Sequence, residues 1–228
     1  MDATKPAILW DVDGTLVDSE PLHEAALKQA LCDTGLAPPR DLHQHIIGRD
    51  ALEVHGWCRQ QLGLTLDLDD WLDLCHRAYL SSVKSLKPRA GAVALFRALR
   101  DDGYRQAIVS NSDRMLVNAN LDAVGLNMPG LITVSWNDVR AGKPAPEPYL
   151  RAAWLLGVEP EHCLVIEDSL TGAQSGLAAG MRTIFWPESD TTTMGGAAAA
   201  NGAATPEGAK RIVDLDHLAA AIRESRIQ

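Results

Sequence analysis

Nowhere in its 228 residues does the chain carry an apolar run near the roughly 20 residues that a membrane-spanning helix needs. The opening Met1-Asp2-Ala3-Thr4-Lys5-Pro6 leads into a strand-like segment without the apolar region of a secretory signal. Runs of Lys or Arg are also missing. The 21 basic residues are scattered and outnumbered by 30 acidic ones, for a net charge of -9 and a pI near 5.2. Long-range repulsion from polyanions argues against nucleic acid and anionic membrane as partners. Cys32, Cys58, Cys75 and Cys163 show no C-x-x-C spacing and are expected as free thiols, most of them small core hydrophobes. These absences lead to the expectation of a cytoplasmic protein, taken as a monomer, with no membrane or nucleic-acid partner.

What is present is a globular composition, 46% apolar and 22% charged, in a chain long enough to bury roughly 70% of its unfolded surface. Short apolar runs recur: Ala7-Ile8-Leu9-Trp10, Gln106-Ala107-Ile108-Val109, Leu131-Ile132-Thr133-Val134, Cys163-Leu164-Val165-Ile166 and Thr183-Ile184-Phe185-Trp186. None alternates with polar residues, as fits strands covered on both faces. Helical spacing separates them: Val93, Phe96 and Leu99 before Gly103, a helix over 147–156 with Pro148 in its first turn and Gly157 behind it, and another from Leu170 stopped by Gly180. Glycines at 172, 176 and 180 share one face of that last helix and are read as close packing on the sheet. Strand and helix in alternation predict an α/β fold with an open parallel sheet.

Residues 18–87 break the rhythm. Their apolar positions (Leu22, Ala26 and Ala30, then Trp71, Leu74 and Ala78) follow helical spacing only. The expected organisation is therefore a core of residues 1–17 and 88–228 interrupted by a helical insertion. Small residues over 187–208 read as a loop, followed by a short edge strand at 210–213 and a closing helix.

Several strand ends, where parallel sheets place their ligands, carry chemistry. The first delivers Asp11-Val12-Asp13-Gly14-Thr15, the second Ser110-Asn111 and the fourth Glu167-Asp168, while Lys143 precedes that fourth strand by one helix. Gly14 permits the sharp turn that puts Asp11 and Asp13 on one side. Carboxylates gathered this closely need a counterion, and a hard divalent cation with oxygen ligands, Mg²⁺, meets that need.

The ordered segments Asp11-Val12-Asp13-Gly14-Thr15-Leu16-Val17-Asp18-Ser19, Val109-Ser110-Asn111, Lys143-Pro144 and Val165-Ile166-Glu167-Asp168-Ser169 resemble the haloacid dehalogenase-like (HAD) hydrolase superfamily. The resemblance spans nearly the whole chain and is weakest over 187–208. It implies a Rossmann-like core with helices on both sheet faces and an inserted all-helical cap. Asp11 is implied as the nucleophile that forms an aspartyl-phosphate, and Asp13 as the group that protonates the leaving oxygen and then activates water. Mg²⁺ is implied on Asp11, the Asp13 carbonyl and Asp168, with Glu167 at or near the ion. Ser110 and Lys143 are implied as phosphoryl ligands, helped by the loop through Gly14 and Thr15 and by Asn111.

Within the superfamily, an acid at Asp13 resembles the phosphoryl-transfer enzymes rather than the dehalogenases, whose leaving halide needs no proton. The helical insertion and Asp18-Ser19-Glu20-Pro21-Leu22-His23 look like the subgroup of beta-phosphoglucomutase and sugar-phosphate phosphatases, where His23 is implied as the hinge histidine. Ile46-Ile47-Gly48-Arg49-Asp50 resembles the cap's specificity loop, making Gly48 and Arg49 candidate substrate contacts. The mutases have an arginine where Ala51 stands, a departure that favours a phosphatase of small phosphorylated metabolites over a sugar phosphomutase. A non-catalytic phosphometabolite-binding protein is the third reading, against which the intact Asp11 and Asp13 argue.

Overall fold

Ala7–Trp10, Gln106–Val109 and Cys163–Glu167 are buried at every residue, as strands sandwiched between helical layers must be. The computed structural model describes residues 5–46, 49, 51–187 and 205–225. In chain order its elements begin with β1 (Ala7–Trp10), β2 (Val17–Asp18), α1 (Glu20–Asp33), α2 (Leu42–Ile46) and α3 (Ala51–Trp57). A π-helical turn (Cys58–Leu62) leads to α4 (Leu68–Ser82), β3 (Lys87–Pro88), α5 (Ala92–Asp101), β4 (Gln106–Val109), α6 (Arg114–Ala123) and β5 (Ile132–Val134). The chain closes with α7 (Glu147–Leu156), β6 (Cys163–Glu167), α8 (Leu170–Ala178), β7 (Arg182–Phe185), β8 (Lys210–Arg211) and α9 (Leu215–Glu224). None of the described helices is long and apolar enough to cross a membrane.

Six strands form one parallel sheet in the order β5-β4-β1-β6-β7-β8. Alternate strand residues feed opposite layers. Ile8, Trp10, Ile108, Leu164, Ile166 and Ile184 pack with Phe96, Leu99, Leu116, Leu121, Leu218 and Ile222 from α5, α6 and α9. Ala7, Leu9, Ala107, Val109 and Val165 pack with Tyr149, Ala152 and Ala153 of α7. The expected α/β sheet with helices on both faces is therefore present. The chain reverses direction across the sheet beside β1, which places the crevice of such folds at the carboxyl end of β1.

Between β2 and β3 the described residues form helices and turns but no strand. Leu27, Ala30, Leu31, Leu42, Cys58, Leu64 and Trp71 make a separate hydrophobic cluster there. Leu22 and Ala26 of α1 and Tyr79 of α4 instead join the core cluster, so the insertion is seated on the sheet domain by its own side chains. The chain leaves and re-enters through the antiparallel β2–β3 ribbon, with Val17 opposite Pro88 and Asp18 opposite Lys87.

Helix α7 starts with Pro148 in its first turn and ends at Gly157 with φ 64°, as its sequence signals predict. The sequence pattern assigns no element to Arg114–Ala123, where the structure has α6; Asn118 and Asn120 interrupt its apolar spacing and are poor helix formers. Residues 188–204 of the expected loop lie outside the described residues, and β8 is confined to Lys210–Arg211.

A buried polar bridge ties strand to helix. The Trp10 indole donates to Gln106 Oε1 at 2.7 Å, and Gln106 Nε2 donates to the Phe96 carbonyl at 3.0 Å. Gln106→Leu strands the indole N–H without water and is expected to cost about 2 kcal/mol. Thermal unfolding should then show a Tm lowered by roughly 4–8 °C, and an unchanged Tm contradicts the role given to the bridge.

Candidate active site

Three neighbouring strands, β4, β1 and β6, end side by side and deliver Ser110, Asp11 and Glu167-Asp168 to one crevice. Lys143, in the loop before α7, reaches into it. Its ammonium donates to Asp11 Oδ1 at 2.6 Å, Glu167 Oε1 at 2.6 Å and the Val109 carbonyl at 2.9 Å. An ammonium has three protons, and here each has an acceptor.

Glu167 is wholly buried. Besides Lys143, its Oε1 accepts from the Tyr149 hydroxyl at 2.8 Å, while Oε2 accepts from the Ser169 amide and hydroxyl at 3.3 and 3.0 Å. Ser169 also caps α8 by accepting the Gly172 amide at 3.0 Å. Both Glu167 oxygens are thus engaged with protein donors, the Lys143 ammonium among them. Asn111, expected as a substrate contact, is engaged with the Lys143 backbone in this structure. Its Oδ1 accepts the Lys143 amide at 2.8 Å and its Nδ2 donates to the Lys143 carbonyl at 3.1 Å, so the carboxamide clasps the Lys143 backbone.

Asp168 accepts from Thr15 Oγ1 at 2.9 Å. Gly14 lies against it with φ +83°, and a Cβ there would fall 2.2 Å from Asp168 Oδ2. The turn after Asp11 thus needs glycine for both its conformation and its closeness. Arg89, just past β3, stacks on Trp186 and donates to the carbonyls of Gly14, Trp186 and Pro187 at 2.7–2.8 Å, tying this turn to the end of β7.

Asp13 turns toward β4 and α6. Its Oδ2 accepts from Ser112 Oγ at 2.8 Å and Ser110 Oγ at 3.2 Å, and its Oδ1 from Asn120 Nδ2 at 3.2 Å. His23 Nε2 lies 3.9 Å from Oδ1, and the His23 ring is tilted against Tyr79 with centroids 4.5 Å apart. Arg49 is exposed, and Gly48 lies outside the described residues.

Burial disfavours the Asp13 carboxylate, yet His23, Ser19 and Ser112 outweigh that and hold its pKa at about 2. Asp11 and Asp168 move the other way. Burial and the Glu167 charge push Asp11 well up despite Lys143, and the same two causes bring Asp168 to about 7. Lys143 is penalised by burial, but the charges of Asp11 and Glu167 push it above its ordinary value and keep it protonated.

One oxygen each from Asp11, Glu167 and Asp168 lie within 4.8 Å of one another. Hard oxygen donors whose mutual repulsion is relieved by positive charge are what a small divalent cation selects. The residues present fit such an ion, with Asp11 and Asp168 the donors less committed elsewhere.

The profile of the family described as haloacid dehalogenase-like hydrolase matches residues 5–180. The chain is a haloacid dehalogenase-like hydrolase. The sequence is 34% identical over 178 residues to hexitol phosphatase A of Escherichia coli, an alignment covering 77% of this chain and 80% of that protein. It is 30% identical to a phosphoglycolate phosphatase of Rhodospirillum rubrum, covering 78% of each. The fold superposes on a HAD family hydrolase from Deinococcus radiodurans, crystallised with bound phosphate and sodium, with TM-score 0.72 and 33% identity over 98% of this chain and 97% of that one.

In this HAD-like hydrolase, the sequence motifs marked Asp11, Asp13, Ser110, Lys143, Glu167 and Asp168, but not Ser112, Asn120, Tyr149, Tyr79 or Arg89. The available signal for Asn120 was a carboxamide four residues after Leu116, on the buried stripe of α6. Raised carboxyl pKa values make the folded chain hold more protons than the unfolded chain between about pH 4 and about pH 7. Stability therefore falls as pH rises through that window. The depressed Asp13 acts only below it, where protonation toward pH 2 removes stability. Chelator-treated protein should accordingly resist urea better at pH 5 than at pH 7.5, and the reverse order contradicts this account.

Proposed function

We propose that the chain is a Mg²⁺-dependent phosphatase of small phosphomonoesters, with sugar and polyol phosphates as the substrate class, and that it works through an aspartyl-phosphate on Asp11. The observation that carries this reading is a buried Asp11 bonded to Lys143 at 2.6 Å, with Asp168 beside it and a second carboxyl, Asp13, two residues on and separately held. Phosphatase relatives and a phosphate-bound relative structure support it.

Asp11 attacks phosphorus, and an Asp11 oxygen–phosphorus bond forms as the ester P–O bond breaks. The Asp13 carboxyl gives its proton to the departing alcohol oxygen. In the ligand-free arrangement Asp13 is ionised, so an incoming phosphate has to raise its proton affinity by adding negative charge nearby. Asp13 then takes a proton from water as that water attacks the phosphoenzyme, releasing phosphate and restoring Asp11. Lys143 and Ser110 stabilise the transferring oxygens, and Asn111, Glu167 and Tyr149 act through Lys143 by fixing its backbone and its ammonium. Asp11, Asp168 and the Asp13 carbonyl would hold Mg²⁺, which supplies charge neutralisation at the phosphoryl group. Residues 18–87 act as the cap over this crevice, turning on the β2–β3 ribbon, and the cap decides which alcohol is accepted.

Wild-type protein should hydrolyse p-nitrophenyl phosphate with Mg²⁺ and lose the activity in EDTA. Asp11→Asn should reduce kcat by at least about a thousandfold, since it removes the group that makes the covalent bond. Retention of activity by both the chelated protein and the variant overturns the reading.

A further inference from the structure

The groups around Asp13 do not all belong to the sheet domain. Asn120 is completely buried on α6, and Tyr79, 1% exposed, comes from α4 of the insertion. The Tyr79 hydroxyl donates to Asn120 Oδ1 at 2.9 Å, and Asn120 Nδ2 donates to Asp13 Oδ1 at 3.2 Å. A carboxamide has nearly the same shape when flipped by half a turn, so only its partners decide which end faces the carboxylate. Tyr79 makes that decision. Its proton on Oδ1 leaves the amino end for Asp13, whereas the flipped form would set an oxygen against a carboxylate.

We propose that Asn120, oriented by Tyr79, is a positioning residue for Asp13, and that the seating of the helical insertion on α6 thereby sets the direction of the proton-transfer group. The inference rests on the phosphatase reading and assigns a task to two residues outside the sequence motifs. Among the described residues, the Asn120 amide is the α6 group that hydrogen-bonds Asp13. It binds Oδ1, while the serine hydroxyls bind Oδ2. A carboxylate held at both oxygens cannot rotate, and alignment of a reacting group is worth a large part of its effect. One further contact seats α4 in this place, His76 Nε2 lying 3.3 Å from Asp113 Oδ2 at the start of α6, and within the insertion the Tyr79 ring packs against His23 of α1.

The proton from Asp13 matters for an alcohol leaving group and hardly at all for nitrophenolate, which departs as a stable anion. The parameter kcat/KM reports steps up to formation of the phosphoenzyme. The ratio of kcat/KM for p-nitrophenyl phosphate to that for an alkyl phosphate, such as glycerol or hexitol phosphate, therefore reads the use of Asp13 as acid. Asp13→Asn sets the scale by raising this ratio. Tyr79→Phe removes one hydroxyl and keeps the ring packing, and Asn120→Leu keeps the volume and removes the donor. Each should lower kcat/KM for the alkyl ester by about tenfold or more, a fraction of what general acid catalysis supplies, while the aryl ester changes by less than about threefold. Either variant suffices if the other does not fold. Equal losses on both esters, no loss, or a gain on the alkyl ester overturn the proposal while leaving the phosphatase reading intact. Wild-type protein that hydrolyses neither ester overturns both.

Discussion

The Lys143 ammonium sits 2.6 Å from both Asp11 and Glu167 in a place where water does not screen it. Around it the rest of the crevice is arranged. Two buried carboxylates on adjacent strands would repel each other strongly, and taking away the cation from such a set typically costs about 3–5 kcal/mol. Each neighbour then has a reason. Asn111 clasps the lysine's own peptide, Tyr149 and Ser169 take up the remaining lone pairs of Glu167, and Gly172 leaves space for its carboxylate. A Cβ at Gly172 would stand 1.8 Å from Glu167 Oε1. The small-residue face of α8 is thus cut to fit a charge as well as a sheet, since a Cβ at Gly176 would meet Thr183 Oγ1 at 2.7 Å.

The two halves of the carboxylate set are shifted in opposite directions by different means. Asp11 and Asp168 face other acids in a buried pocket and are pushed toward protonation. Asp13, only two residues from Asp11, faces hydroxyl, imidazole and amide donors and stays ionised. The division follows from the strand end. After Trp10 the chain turns at Gly14, so Asp11 points toward β6 and Asp13 toward β4 and α6. One short loop therefore sends one carboxyl into the acidic cluster and the other among hydrogen-bond donors.

Strand-end acids and the glycine at the turn were readable in the sequence because each lies next to a buried apolar run whose direction is unambiguous, while Lys143, one helix before the fourth strand, was marked only by the Lys143-Pro144 motif. The insertion was readable for the opposite reason, an absence of strand patterns over 70 residues between two breaks. Supporting residues were not. Asn120 and Tyr79 are far apart in sequence from Asp13 and look like imperfections in helical stripes. Asn111 kept its place beside Ser110, but only the fold shows that its carboxamide is spent on the Lys143 peptide. Sequence proximity locates what a strand carries to its end; it does not tell which neighbouring backbone a side chain will grip.

The ribbon formed by Val17–Asp18 and Lys87–Pro88 has a consequence for how such a chain can diversify. Because the two ends of the intervening segment are hydrogen-bonded side by side, the sheet sees that segment as a loop already closed. Lengthening, shortening or exchanging the helices between them adds little chain entropy to the folding of the sheet, since closure cost grows only with the logarithm of length. The registers of β1 with β4 and β6 do not depend on it. The sheet and the intervening helices are therefore free to change at different rates, with the Tyr79 and His76 contacts at α6 as the points where any replacement must still dock.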